Sequence, residues 1–179
     1  MQTLRFLATE KKLSLLGEVL SSAGEKIRVR QIAGKLNLNP GYVSTILGKM
    51  EREGLIKHNE LDLANPEVRS LKILSNTCRL ANSWQSIRKK GILGFGIFGS
   101  WAKGSNTYDS DLDIWVKSAK ELSAEETSEI RHILMEDSGA PLVSLIVLTG
   151  EKIAKIRNDD KLFYCTLLNS FHLGGELFD

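Results

Sequence analysis

The sequence predicts an α/β (α+β) chain: a helical first half, then a half in which helix and strand alternate around a small mixed sheet. Three observations carry this. In the first half apolar residues recur at helical spacing, as in Val43, Ile46, Leu47 and Met50. From residue 91 the pattern changes to short apolar runs, beginning with Ile92-Leu93-Gly94-Phe95-Gly96-Ile97-Phe98. The charge changes sign at the same place. Residues 1–90 carry 16 Lys and Arg against 8 Asp and Glu, and residues 91–179 carry 8 against 14, so a +8 half precedes a −6 half. Such asymmetry fits a basic part that meets a polyanion and an acidic part that holds a cation, or else ordinary scatter of surface charge.

Each element follows from local chemistry. Leu13, Leu16 and Leu20 mark a first helix that ends near Ser21-Ser22-Ala23-Gly24. Ile32, Ala33 and Leu36 mark a second. Asn39 is placed to cap a third helix and Pro40 to occupy its first position, where a missing N–H costs nothing. Gly54 closes that helix, and Leu55 to His58 with Leu61-Asp62-Leu63 forms two short extended segments. Pro66 opens a long helix from about Glu67 to Lys90 with an apolar stripe of Leu71, Leu74, Cys78, Ala81, Trp84 and Ile87. With no Gly/Ser-rich linker, this helix is expected to join the two parts stiffly. Strands follow at 92–98, 112–116 and 142–148. Helices are expected from Ser123, whose Glu126 completes a capping box, to about Glu136, then over 151–157 and 162–170. The expected domains are residues 1–65, a connecting helix over 66–90, and residues 91–179.

Composition excludes several classes. With 42% hydrophobic and 26% charged residues the chain of 179 can fill a core, which argues against disorder. Three prolines and fifteen glycines exclude collagen-like and low-complexity chains. Cys78 and Cys165 form no CxxC pair and are expected to be buried thiols of a reducing, cytoplasmic compartment. Arg5, Glu10, Lys11, Lys12 and Glu18 leave no apolar core for a signal peptide, and no run approaches the roughly 20 residues of a membrane span. His58, His132 and His172 are too dispersed for a zinc site. Trp84, Trp101 and Trp115 are expected to pack, with Trp101 stacking on a nucleotide base as the alternative.

Two short helices, a polar turn and a third amphipathic helix form a helix-turn-helix pattern. The segment from Gln31 to Ile56, with its small Ala33-Gly34, its Asn37-Leu38-Asn39-Pro40 turn and its closing Glu53-Gly54-Leu55-Ile56, resembles the winged helix-turn-helix family of bacterial and archaeal regulators. The resemblance spans roughly residues 10–64 and implies double-stranded DNA as the partner. It also admits a homodimer reading paired half-sites, or a module for dimerisation or protein docking. With Val43, Ile46, Leu47 and Met50 inside, Tyr42, Ser44, Thr45, Lys49 and Arg52 face outward toward base edges and phosphates. Arg28 and Arg30 stand near the second helix to grip the DNA backbone.

The chemistry of the second half concentrates between Phe98 and Val116. Gly99 and Ser100 directly follow an apolar strand, where a glycine admits backbone amides to a phosphate and the Ser100 hydroxyl and Lys103 add donors. Asp111 and Asp113, two apart on an expected strand, share one face. Paired carboxylates repel unless a cation lies between them, and Mg²⁺ commonly binds one or two carboxylates plus substrate phosphates.

Gly99-Ser100, ten residues, then Asp111-Leu112-Asp113 resembles the signature of the DNA polymerase β-like nucleotidyltransferase superfamily, and within it the minimal nucleotidyltransferases. The resemblance covers roughly residues 85–175. It implies nucleotide binding at Gly99, Ser100 and Lys103, and metal binding and catalysis at Asp111 and Asp113. Mg²⁺ or Mn²⁺ is the implied cofactor and a nucleoside triphosphate the substrate. A hydroxyl would attack the α-phosphate and expel pyrophosphate. It further implies a protein hydroxyl as acceptor, as in minimal nucleotidyltransferases that adenylylate a HEPN partner. The sequence departs from the family in two places. Ser144 stands where a third carboxylate is expected, with Glu136 or Asp137 as candidate substitutes, and Trp101 stands where many members carry Arg. Ser144 motivates the alternative of a non-catalytic transcriptional regulator whose second domain senses a nucleotide or binds a partner. A small-molecule transferase of the aminoglycoside-modifying type is a third reading, without an evident acceptor domain.

Overall fold

The computed structural model describes residues 9–178, so Arg5 among the charges above lies outside them. The chain divides into two compact units, Met1–Ser75 and Asn76–Asp179.

The first unit contains α1 (Glu10–Ser21), α2 (Val29–Leu36), α3 (Pro40–Arg52), β1 (Ile56–Lys57), β2 (Glu60–Leu61) and the start of α4 (Pro66–Ala81). Its core gathers Leu15, Val19, Ile32, Val43, Ile46, Met50, Leu61 and Val68. The face of α1 differs from the expected one. Leu15, Val19 and Leu20 are buried and Leu13 is half exposed, because leucines at 13, 15 and 16 offer two candidate stripes and tertiary packing selects one. The cap of α3 forms as its sequence requires. Asn39 Oδ1 accepts from the amides of Gly41 (2.8 Å) and Tyr42 (3.3 Å), an arrangement worth about 1 kcal/mol. Between β1 and β2, His58 and Asn59 both take left-handed backbone (φ 54° and 62°), the conformation of a two-residue hairpin turn. So tight a turn starts the return strand at Glu60 rather than at Leu61. Asp62 then lies beyond the strand and pairs with Lys57 Nζ at 2.6 Å, which holds its carboxyl below the usual range.

The second unit adds α5 (Ser83–Ile87), a 3-10 turn at Arg88–Lys90, β3 (Ile92–Ile97), α6 (Gly99–Lys103), β4 (Leu112–Ser118), α7 (Ala124–Ser138), β5 (Val143–Leu148), α8 (Gly150–Asp159), α9 (Lys161–Leu168) and β6 (Phe171–Gly175). The sheet order is β5-β4-β3-β6, with β4 and β5 parallel and the other pairs antiparallel. Alternation along β4 sends Leu112, Ile114 and Val116 into a core with Leu80, Ile87, Ile130 and Leu134. Trp115 points the other way, among Phe98, Leu148, Leu167 and Phe178, with residues of α8 and α9 packed against them. Ser123 and Glu126 form the reciprocal capping box at the start of α7, and the amide of Ser123 holds the Glu126 carboxyl below its ordinary range.

Four expectations are corrected here. The connecting helix does not run unbroken to Lys90. It stops at Ala81 and restarts as α5, at an Asn82-Ser83 pair whose side chains favour helix ends. The apolar stripe was also misplaced. Val68, Lys72, Asn76, Leu80, Ser83 and Ile87 are buried, while Leu74 and Cys78 are exposed. Polar members hid this face because their partners are distant in sequence. Lys72 Nζ donates to the Leu20 carbonyl (3.0 Å), and Ser83 Oγ donates to Asp137 Oδ2 (2.6 Å). Cys165, on α9, is exposed as well, so neither thiol is buried. Finally, the last expected helix ends at Leu168 and β6 follows it. The glycines that disguise β6 are what let it lie against β3, since a Cβ on Gly175 would sit 2.1 Å from the Leu93 carbonyl oxygen. No helix among the described residues is long and apolar enough to cross a membrane.

Candidate functional site

The sheet brings the Phe98–Asp113 motif together at one end. Because β3 and β4 are antiparallel, the end of β3 lies beside the start of β4, and the Phe98 amide donates to the Asp113 carbonyl (3.0 Å). Gly99 follows with φ +66°, which disfavours any residue with a side chain. Its position is closed a second way, since a Cβ there would lie 2.1 Å from Asp113 Oδ2. The backbone after β3 therefore runs directly along the Asp113 carboxylate.

Asp113 is the second residue of β4 and shares the Trp115 face. Asp111 does not lie on the strand as expected. It stands in the loop just before β4, which begins where the Leu112 amide donates to the Leu142 carbonyl (2.9 Å). Burial, and then the negative charge of Asp111, raise the Asp113 carboxyl above its ordinary range. The Asp113 carboxyl thus feels the charge of Asp111 although only Asp113 is on the strand.

Ser144 on β5 is the register partner of Asp113 in the parallel pair, so the two side chains leave the sheet on the same side. A hydroxyl there supplies neither a charge nor a base at neutral pH. Glu136 and Asp137 do not take its place. Asp137 accepts from Ser83, and Glu136 lies 3.4 Å from His132 Nε2. No cluster of three or more His, Cys, Asp or Glu side chains suited to a metal occurs among the described residues. Ser100 is half buried and Lys103 exposed at the end of α6. Trp101 is 4% exposed and packs in the core, which removes it as a surface on which a base could stack.

In the first unit, Ser44, Thr45, Lys49 and Arg52 are exposed along α3, opposite the buried Val43, Ile46 and Met50. Thr45 Oγ1 donates back to the Gly41 carbonyl (2.9 Å). Tyr42 does not face freely outward. It is half buried against the core. Arg28 and Arg30 are exposed, but Arg28 lines a cleft with Glu18, Glu25, Gln31 and Lys35. Ser44 lines a different cleft with Gly48, Glu51 and Asn59, and the two clefts share only Ile27.

Compared with known families, residues 12–57 match the one described as winged helix-turn-helix DNA-binding, and residues 78–164 match the nucleotidyltransferase domain. A winged helix-turn-helix match thus precedes a nucleotidyltransferase match along the chain. No curated protein and no solved structure matches it. The winged-helix match takes in α2, α3 and β1, and with them every residue expected to touch DNA. The nucleotidyltransferase match takes in Gly99, Ser100, Lys103, Asp111, Asp113 and Ser144.

Sequence reasoning missed the parts that hold the nucleotidyltransferase motif in shape. The loop between α6 and β4 is fastened by Thr107, whose amide donates to Ser110 Oγ (2.8 Å). It is fastened again by Asn106 and Asn76, both buried. Nothing local marks Asn76, which lies on a helix well before the motif.

Proposed function

We propose that this chain binds duplex DNA through its first unit and transfers a nucleoside monophosphate from a nucleoside triphosphate to an acceptor hydroxyl through its second. The observation that carries the second part is the meeting of Gly99, Asp113 and Asp111. A side-chain-free backbone lies against a half-buried carboxylate that already feels a second negative charge. Phosphate oxygens would take the backbone amides and hydroxyl of Gly99 and Ser100, with Lys103 adding charge. Asp111 and Asp113 would hold a divalent cation. The donor set fits Mg²⁺ or Mn²⁺: two carboxylates, repelling each other, with coordination completed by phosphate oxygens and water. When bound, the cation offsets the negative charge that builds on the triphosphate during displacement.

In the transfer, the acceptor oxygen forms a bond to the α-phosphorus as the bond to pyrophosphate breaks. The acceptor proton passes to solvent, because Ser144 is no base. A protein hydroxyl, including one on a HEPN-type partner, is the acceptor class this reading favours. On the DNA side, Ser44, Thr45, Lys49 and Arg52 would enter the major groove, with Arg28 and Arg30 on phosphates and a homodimer reading two half-sites. In this reading residues 1–65 serve DNA, 66–90 connect, and 91–179 carry the transferase.

Ser144 supports a second reading, a regulator that binds the nucleotide without turning it over. Incubating the full chain with labelled nucleoside triphosphates and Mg²⁺ or Mn²⁺, with and without candidate acceptors, separates the two. Label transfer that disappears in Asp111→Ala with Asp113→Ala supports the enzyme. Retention of nucleotide with no transfer supports the regulator, and retention of neither contradicts both.

A further inference from the structure

A side chain outside the motif segment from Gly99 to Asp111 anchors it at two points. Asn76 lies on α4, just before the segment matched by the nucleotidyltransferase family, and is 5% exposed. Its Nδ2 donates to the Trp101 carbonyl (2.9 Å) and to Asn106 Oδ1 (3.0 Å), so both amide hydrogens are engaged. Trp101 belongs to α6, the turn that starts at Gly99. Asn106, itself 5% exposed, lies in the loop that ends at Asp111. One planar amide therefore holds both the phosphate-side turn and the loop that delivers the first carboxylate, alongside the Ser105 amide's donation to the Ser100 carbonyl (3.0 Å) and that of Trp101 Nε1 to the Ser110 carbonyl (3.5 Å).

A polar side chain buried without partners is costly, so apolar packing would be the simpler filling for this position. What an amide adds to the apolar packing of Leu80 and Trp101 is direction: two donors at a fixed angle, aimed at two points on the chain. The Asp111 side of the loop needs such a tie because Asp111 is not on β4 and the ladder does not set its place.

We propose that Asn76 is a positioning residue for the nucleotide and cation site, holding the 101–106 turn so that Asp111 arrives beside Asp113. This rests on the reading of the site given under Proposed function. The full chain and its Asn76→Ala, Asn76→Asp, Asn106→Ala and Asn106→Asp variants test it. Two readouts serve: the affinity for Mn²⁺ with ATP, followed by the electron paramagnetic resonance of free Mn²⁺, and amide hydrogen exchange over residues 105–110. Asn76→Ala and Asn76→Asp are expected to weaken Mn²⁺–ATP at least about tenfold and to speed exchange over 105–110, with protection in β4 and α7 unchanged. Asn106→Asp keeps the accepting oxygen and stays within about twofold of the parent, whereas Asn106→Ala weakens binding. That difference is one a merely structural residue would not produce.

Parent-like affinity in Asn76→Ala overturns the proposal whatever the exchange shows. Should the Asn76 variants lose protection throughout the second unit, the Asn106 pair decides, and equal affinities for Asn106→Ala and Asn106→Asp overturn it. If the parent chain itself fails to retain Mn²⁺–ATP, the site reading falls, and exchange alone judges the clamp. Acceleration confined to 105–110 in Asn76→Ala then supports it, and uniform or absent acceleration overturns it.

Discussion

On α3, Ser44, Thr45, Lys49 and Arg52 stand on the solvent side of a helix whose opposite side is the core. Around Asp113 the functional group is itself half buried, with backbone on one side, a second carboxylate nearby and a strand partner in register. The first arrangement separates function from packing and the second fuses them. Attraction to a polyanion acts over a Debye length, so a cation can be moved or removed at modest cost. Holding a triphosphate and a small cation depends on ångström-scale placement, so the residues around them have no latitude.

That contrast predicts unequal responses to small changes. The largest is expected for Gly99→Ala. A single methyl would meet Asp113 Oδ2 and sit on left-handed backbone, and Mn²⁺–nucleotide affinity should fall roughly a hundredfold by calorimetry. An unchanged affinity would mean the glycine does not shape the site.

A pair of changes on α3 should act more gently. Lys49→Ala with Arg52→Ala is expected to weaken duplex binding and to flatten the slope of log affinity against log salt by about 2, close to 0.9 per lost phosphate contact. Fluorescence anisotropy across a salt series measures it. A slope equal to the parent's would remove these residues from the DNA surface. The same pair should leave Mn²⁺–nucleotide affinity untouched, which tests whether the two kinds of site are independent.

The smallest effect is one of stability. Asp113 has its folded pKa raised above 3.8 by burial and by Asp111, so its ionisation opposes folding at neutral pH. This burden is full above the raised value and disappears as pH falls through it. Asp113→Asn, without bound ligand, should therefore melt a few degrees higher than the parent at neutral pH, with the advantage fading in acid. A lower melting temperature at neutral pH would show that the carboxylate is stabilising as it stands.

The same contrast explains what the sequence revealed. The positions of α3 were legible because Asn39, Pro40 and an unbroken apolar spacing act within one helix. The Gly99-to-Asp113 motif was legible because glycine conformation and strand alternation are also local rules. The buried face of α4 was not, because Lys72, Asn76 and Ser83 are polar and find their partners at Leu20, Trp101, Asn106 and Asp137. Strand β6 escaped notice because its glycines signal a loop unless the close approach to β3 is known. The place of Asp111 before the strand was not legible, because period-two spacing says nothing of where a strand begins. Ser144 falls in register with Asp113 because Leu112 and Val143 open their strands side by side.

The central claim is that Asp111 and Asp113 hold one divalent cation that is shared with a nucleoside triphosphate. Titrating the full chain with Mn²⁺ at fixed ATP, against Asp111→Asn with Asp113→Asn, tests it directly through the signal of free Mn²⁺. The account predicts one Mn²⁺ retained per chain in the parent in the presence of ATP, and its loss in the doubly substituted chain. Equal retention by both, or none by the parent at saturating Mn²⁺, would contradict it.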